Sequence, residues 1–527
     1  MSEVAALPTI SEAMAQELVV LLGTDAVHIE RSRIDEFKDD YWPTGDETYA
    51  ASAVVQPTTT EQVQGILDIA RRYGIPVWPH SQGRNLGHGG ASPKVRGSIQ
   101  LGFQRMNRIL EINEELAYAV VEPGVTWFDL HQAVREKGYD LSTPCPDLGW
   151  GSIVGNTMDG GHTYQRYGPD YMLPAGLEVV MPTGDILRTG QGAIPSSPSW
   201  HLYKRSLGPN LEPLFVQSNF GIVTKMGIWL TRRPASFAPL VLAVDDEADF
   251  EAAVDTLREL RLAGHLEGMP AVYSTLRACH MLRDAPVAAQ TSPFTDTELR
   301  DIGNRAGVGA WAVRAAIWGE PEIVEAKLRR IRNAWETIPS GRVEARRTYS
   351  PDEYDQLEYS AEQIMAGEPT LKAIQNTPPN IAHVDVSPVV PLQGTTMRNV
   401  IELIRREFAA AGRDFGAGIM VTGERSAVVI AGIRYDKTDE GSTRSAFALA
   451  RSLIIELGKL GFGDSRPHLE FMDLAAAEYS FNDNAYRRVA THIKDALDPD
   501  GILSPGRHGI WPTTTCPAGA HSSKDPR

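Results

Sequence analysis

The sequence predicts an α+β protein of two domains, the first of them completed by the last part of the chain. Three observations carry this expectation. Up to about residue 235, short β-like runs alternate with helices and two glycine-rich stretches. After Pro234 the texture changes to a strand–helix alternation that continues to about residue 480. The segment ATHIKDALDPDGILSPGRHGIW (490–511) then reads as a helix and turn returning to the first domain. The expected boundaries are 1–235 plus 481–511 for the first domain and 236–480 for the second. The Thr/Pro/Ser-rich residues 512–527 are expected to form a flexible tail.

Each element has a local cause. Residues 11–73 read as helix, strand, helix. In EQVQGILDIARRYGIPVWP (61–79), Val63, Ile66, Leu67 and Ala70 recur at helical spacing, and the apolar run Ile75–Trp78 follows as a strand. Two β-like runs, GSIQLGF and LAYAVVEPG, precede the amphipathic helix TWFDLHQAVREKG. GLEVVMPTGDILRTG (176–190) reads as two strands around a Pro-Thr-Gly-Asp turn, and SNFGIVTKMGIWL (218–230) as an apolar strand. In the second domain, strands are expected at 238–243, 310–318, 382–387, 418–422 and 427–434, with helices at 246–264, 321–337 and 397–411. No internal repeat is present.

Composition removes several classes. The 527 residues carry 51 Lys+Arg against 67 Asp+Glu, a formal charge of -16. Phosphate-backbone binding needs clustered cations, so a nucleic-acid partner is not expected. No apolar run approaches the ~20 residues that span a bilayer, and the N-terminus lacks the basic and apolar regions of a secretory signal. A cytoplasmic protein without a membrane partner is therefore expected. Three separated cysteines, Cys145, Cys279 and Cys516, offer neither a disulfide framework nor a CxxC metal site.

Two glycine windows carry the first functional signal. SQGRNLGHGG (81–90) places Gly83, Gly87, Gly89 and Gly90 just after a strand, where backbone N–H groups can form an anion nest. It matches neither the Walker pattern nor GxGxxG, and a plain glycine-rich turn is the alternative. The second window, PDLGWGSIVGNTMDGGH (146–162), has glycines at 149, 151, 155, 160 and 161. Glycine costs about 0.5–1 kcal/mol relative to alanine in regular structure. Five of them indicate a backbone passing close to a flat or phosphate-bearing ligand. Two nests in one domain favour a dinucleotide over a lone phosphate.

PDLGWGSIVGN, GLEVVMPTGD, QSNFGIVTKMGIWL and DPDGILSPGRHGIW, in that order, resemble the vanillyl-alcohol oxidase family of flavoproteins. The likeness covers about 50–235 and the last ~150 residues, whereas 240–370 is poorly matched. It implies the two-domain FAD-binding fold of that family and of p-cresol methylhydroxylase. An FAD domain completed by the C-terminal tail would lie beneath an α+β cap over the flavin. The resemblance places cofactor contacts at Ser81, Gly83, Arg84, Asn85, Gly87, Gly89 and Gly90 in the first window. In the second it places them at Pro146, Gly151, Ser152, Gly155 and Asn156, with Gly221, Ile222, Val223 and Arg507 further on. Arg507 stands where the family has lysine.

The family's flavin-bonded histidine falls on His383 in PPNIAHVDVSP, which implies covalent FAD. His88 is the rival attachment point, and a non-covalent structural histidine is the plain alternative. Asp147 matches the aspartate near flavin N5, a carboxylate able to stabilise a cationic intermediate or act as general base; its alternative role is to cap a turn. Pro146 resembles the oxidases of the family. A free phenol has a pKa near 10, so binding it as phenolate at neutral pH takes about 4 kcal/mol of preferential stabilisation. The family supplies this with an arginine and two tyrosines. Here Arg466 is in place, but Ser465 and His88 replace the tyrosines. His162 and Asp385 are further polar departures, and such groups need partners when buried. Tyr164 and Tyr167 match the family's pocket wall. Val421 and His468 complete the expected substrate pocket, and no metal is expected.

The leading expectation is an FAD-dependent oxidase of para-substituted phenols. Hydride would leave the benzylic carbon for flavin N5 through a p-quinone methide, with O2 as the final acceptor. The alternatives are a hydroxylating dehydrogenase with a cytochrome partner, an FAD oxidase of hydroxy acids or sugars, and a flavin-binding protein without turnover. The family leans toward homodimers or higher homo-oligomers.

Overall fold

The computed structural model describes residues 9–43, 46–166, 174–286 and 293–515. Tyr167 and Cys516 lie outside them. The first glycine window follows a small sheet in which Ala53–Val55, Ile99–Gly102 and Val77–His80 run parallel, with Val27–His28 antiparallel at one edge. Helix Thr60–Tyr73 makes the crossover. Thr59 accepts from the Gln62 amide at its start, and Gly74 at φ 65° ends it in the left-handed conformation that glycine tolerates. Val63, Ile66, Leu67 and Ala70 are fully buried against the sheet. A second, antiparallel sheet has the strand order Ile109–Asn113, Tyr118–Val121, Ile222–Trp229, Pro174–Val180, Ile186–Arg188.

The C-terminal segment docks on the first sheet. The Val77 amide donates to Ile502 O and the Ser504 amide to Val77 O, so residues 502–504 extend its edge. Lys494 fixes this arrangement from a fully buried position. Its ammonium donates to Asn219 O and Leu503 O, both at 2.7 Å, and pairs with Asp498 at 2.6 Å. Asn219 in turn donates to Ser504 O and Ile510 O.

From Ser236 onward the chain builds one large antiparallel sheet. Its strand order is Gly341–Ala345, Ser236–Val244, Trp311–Gly319, Ala271–Ser274, Gly418–Met420, Ser426–Asp436, Ile381–Val386, with Val389–Pro391 also pairing to Ser426–Asp436. The helices Phe250–Leu262, Pro321–Trp335, Gly394–Ala410 and Glu440–Lys459 contribute to the same core as this sheet. Alternation along the strands separates the two faces. Val313, Ala315, Val384, Val429, Ala431 and Ile433 enter the helix-covered core. Arg314, His383, Asp385, Gly432 and Arg434 are interleaved with them and belong to the opposite face. That face looks toward the first domain.

The sequence reading located helices Thr60–Tyr73, Phe250–Leu262, Pro321–Trp335 and Gly394–Ala410 and most cap strands to within a few residues. It missed helices Thr275–Arg283, Asp296–Ala306 and Glu440–Lys459, and strand Ala271–Ser274. The expected helix 246–264 is a short 3-10 turn, Glu247–Asp249, leading into Phe250–Leu262. No helix among the described residues is long and apolar enough to cross a membrane.

A buried cation stripped of its charge partner typically costs about 3–5 kcal/mol. Asp498→Ala leaves Lys494 in that state. It is expected to lower the stability measured by chemical denaturation by at least that amount, because the Ile502 and Leu503 amides lose their acceptor as well.

Candidate active site

Two connected cavities run from the first domain to the cap. The first is lined by 78–85, by 151–159 and by Ser218, Asn219 and 221–223, and is closed by Leu503, Ser504 and Arg507 of the tail. The second, about 320 Å³, lies under the cap sheet and shares Arg84, Asn85, Gly151, Asn156 and Arg466 with the first.

The sequence explains the first cavity locally. Ser152 caps helix Ile153–Met158 by accepting from the Gly155 amide. A Cβ on Gly155 would sit 2.0 Å from Ser81 Oγ, so glycine allows the two glycine windows to touch. In the first window the amides of His88 and Gly90 bond to Asn85 O, while those of Gly83, Arg84 and Asn85, which line the first cavity, have no acceptor among the described residues. Uncommitted amides lining the same cavity as Arg507 suit a phosphate-bearing ligand, and the adjoining second cavity offers room for a further part of it. These residues fit FAD.

Arg466, Arg507 and Asn85 converge on Asp159. Arg466 Nε donates to Asp159 Oδ2 at 2.8 Å, Arg507 Nη2 to Oδ1 at 2.5 Å, and Asn85 Nδ2 to Oδ2 at 2.8 Å. Arg466 Nη2 donates to Asn85 Oδ1 at 2.6 Å, which leaves Nη1 as its remaining fork. Burial alone would raise the Asp159 pKa, but the two guanidiniums outweigh it and hold the carboxyl well below the usual range.

In the second cavity, Asp147 accepts from Tyr164 Oη at 2.6 Å and from Arg314 Nη1 at 2.8 Å. Arg314 is fully buried, and its guanidinium lies 3.7 Å from the centre of the Tyr164 ring. Burial pushes the Tyr164 hydroxyl well up, and the Asp147 charge adds to this, so it remains a donor. His88 and His162 also line the cavity. Burial, reinforced by Arg466, pushes their pKa values down to about 3 and about 4. His88 is thus a neutral imidazole.

His383 lines the cavity with Nδ1 at 3.1 Å from Asp385 Oδ2, and Asp385 lies 3.8 Å from His88 Nε2. Burial works to raise the Asp385 pKa, but His383, His88 and Arg277 overcome it and keep the carboxyl ionised. Gly87 is what permits this contact, because a Cβ there would lie 2.6 Å from His383 Cε1.

Several expected residues sit elsewhere. Val421 is fully buried in the helix-covered core, one position beyond Met420, which does line the cavity; the two-residue alternation puts them on opposite faces. Ser465 turns its hydroxyl to Ser387 O. His468 stacks on Trp42, and its Nδ1 accepts from the Glu470 amide. Neither lines the cavity. Gly89 packs on Leu469 rather than on the cavity. Gly83, Gly90, Gly221, Ile222 and Val223 line the first cavity, and Pro146 lines the second. Sequence reasoning missed Asp159, Arg314, Arg277, Arg434 and His280. For the arginines of WAVRAAIW and AVVIAGIRYD, the signal was a lone cation within an apolar strand.

Asp159 has a depressed pKa, so its contribution to stability is fully present above about pH 4, near the unfolded value. It is lost as pH falls through the lower folded value. Asp159→Asn is expected to cost about 3–5 kcal/mol at pH 7 by leaving two cations underpaired. The gap to the parent protein is expected to narrow below about pH 4, as checked by urea titrations across pH.

Residues 51–190 match the FAD binding domain family. The chain is 33% identical over 502 residues to the flavoprotein subunit of 4-cresol dehydrogenase (hydroxylating) from Pseudomonas putida, spanning 94% of this chain and 95% of that protein. Its fold superposes on 4-ethylphenol oxidase from Gulosibacter chungangensis, in complex with isoeugenol, with a TM-score of 0.90 and 35% identity over 97% of this chain and all of that one. The fold also superposes on p-cresol methylhydroxylase with substrate bound, with a TM-score of 0.89 and 31% identity over 96% and 99% of the two chains. With a glycine-lined cleft in one domain and a polar cavity beneath the sheet of the other, the chain belongs to the vanillyl-alcohol oxidase/p-cresol methylhydroxylase family of FAD-dependent oxidoreductases.

Proposed function

We propose that the protein oxidises para-substituted phenols, 4-alkylphenols or 4-hydroxybenzyl alcohols, at the benzylic carbon, with O2 as the final electron acceptor. The observation that carries this reading is the gathering of Arg466, Asp147 and two neutral imidazoles, those of His88 and His162, around one cavity. Both comparison enzymes named as oxidase and methylhydroxylase are phenol-directed by name, which supports the same substrate class.

Arg466 Nη1 is the donor for the phenolate oxygen, with neutral His88 as a second donor in place of a tyrosine. A fixed cation at that oxygen favours ionisation. Asp159 and Asn85 hold the guanidinium so that it need not reorganise as the reaction proceeds. Loss of hydride from the benzylic carbon turns the phenolate into a neutral p-quinone methide. FAD, held by the glycine windows and Arg507, supplies the two-electron acceptor. Asp147, oriented by Tyr164 and Arg314, takes a proton from the water that adds to the quinone methide. With a 4-hydroxybenzyl alcohol no water is needed, because loss of the alcohol proton yields the aldehyde.

His383 is the residue we assign to covalent FAD attachment. Nδ1 lies against the Asp385 carboxylate at 3.1 Å, and Nε2 is the nitrogen we assign to the bond. The expected result is that acid precipitation leaves the flavin in the protein pellet, and that His383→Ala releases it to the supernatant.

A second reading, electron transfer to a cytochrome, draws on the likeness to a dehydrogenase subunit. Stoichiometric peroxide in air identifies the oxidase; dye reduction without peroxide identifies the dehydrogenase. Anaerobic mixing with 4-ethylphenol is expected to bleach the flavin. Arg466→Gln is expected to slow bleaching by at least a hundredfold and Asp147→Asn by at least tenfold, with the bound FAD content measured alongside. Absence of bleaching with every phenol tried would overturn the reading.

A further inference from the structure

Two cations on the cap side of the cavity have no task in the chemistry above. Arg434 lies on strand Ser426–Asp436, directly across from His383 in the antiparallel register, so the two side chains share a face. Arg277 lies on helix Thr275–Arg283, one turn before His280, and its Nη1 is 4.0 Å from where a Cβ on Gly432 would be. Arg277, His280, Gly432 and Arg434 all line the cavity.

What distinguishes this pair is the lack of a hydrogen-bonded or ion-paired partner among the described residues. Arg314 has Asp147, Arg466 and Arg507 have Asp159, and Arg84 lies 4.1 Å over the Trp150 ring. Neither Arg277 nor Arg434 donates a side-chain hydrogen bond to, or forms an ion pair with, any described residue, and Arg277 Nε is buried without an acceptor. Asp385 acts on both Arg277 and Arg434 only through space, its nearest ionisable neighbour being His383 at 3.1 Å. Burial, together with the Arg277 charge, pushes the Arg434 pKa down to about 10, so Arg434 remains charged at neutral pH. One carboxylate acting through space on two cations leaves an excess of positive charge in a buried wall, which a bound anion would offset. Gly432 keeps the wall open between them, because any side chain there would enter the space beside Asp385 and Arg277.

We propose that Arg277 and Arg434 form a carboxylate-binding subsite, and that the natural substrate is a para-substituted phenol whose side chain ends in a carboxylate. This rests on the phenol reading given above and adds the second end of the substrate. Guanidinium forks match the two oxygens of a carboxylate, which a neutral alkyl chain does not offer. The cofactor's own anionic groups do not meet this need: its phosphates belong with the glycine windows, and the ring edge assigned to His383 is apolar.

The test pairs each acid with its methyl ester, which keeps size and removes charge. Holoenzyme is mixed anaerobically with 4-hydroxyphenylacetate, 3-(4-hydroxyphenyl)propanoate and 4-hydroxycinnamate and with the three esters. Affinity is read from the perturbed flavin spectrum and reduction from bleaching. At least one acid is expected to bind tenfold or more tightly than its ester. In Arg277→Gln and Arg434→Gln that acid-to-ester ratio is expected to fall at least tenfold, and Arg434→Lys to restore part of it.

Equal binding of acid and ester at all three lengths would overturn the proposal, as would an unchanged ratio in both Gln variants. Variants that emerge without FAD would also overturn it, since the pair would then serve the cofactor. A 4-methoxyphenyl acid series separates the two readings. If it keeps the acid preference and is oxidised as fast as the phenols, the anion subsite stands and the phenolate reading fails.

Discussion

The structure depends on one buried carboxylate. Asp159, at the end of the second glycine window, receives Arg466 from the segment after the last cap helix and Arg507 from the C-terminal tail. Asp159 thus joins two segments that lie 307 and 348 residues further along the chain. A single carboxylate between two guanidiniums still leaves net positive charge beside the cleft. That excess suits a cofactor with a diphosphate and, in the proposed chemistry, a phenolate. The same contact fixes where the remaining fork of Arg466 can point, so charge neutralisation and substrate orientation are one geometric fact.

The cap sheet solves a different problem. One face is apolar and covered by helices, while the other carries Arg314, His383, Asp385 and Arg434. Polar groups on a buried face are tolerated only with partners. Arg314 finds Asp147 from the other domain, and His383 finds Asp385 on its own strand. Each such pair ties the sheet to the cavity floor or rigidifies its lining, and the sheet thereby becomes a shaped ceiling rather than a simple cover.

Much of this was legible in the residues. Glycine at 83, 87, 89 and 90, and again at 151 and 155, announced close backbone approach, and the ordered motifs around them identified the family and the cofactor. Asp147, Arg466, His88, His162 and His383 all reach one cavity. Asp159 was not legible, because an aspartate in a turn looks the same whether it faces water or two arginines. Val421 was misplaced by one residue, which in a strand is a change of face. His468 was misread because its role as a cap and as a stacking partner for Trp42 depends on a contact more than four hundred residues away in sequence. Long-range partners of this kind leave no local pattern.

The docking of residues 502–504 along Val77 joins parts of the chain 427 residues apart, counted from Ser504 to Val77. One edge of the cofactor cleft therefore exists only once these distant stretches have met. Closure of the cleft and long-range folding are one event, and a ligand held there stabilises both together.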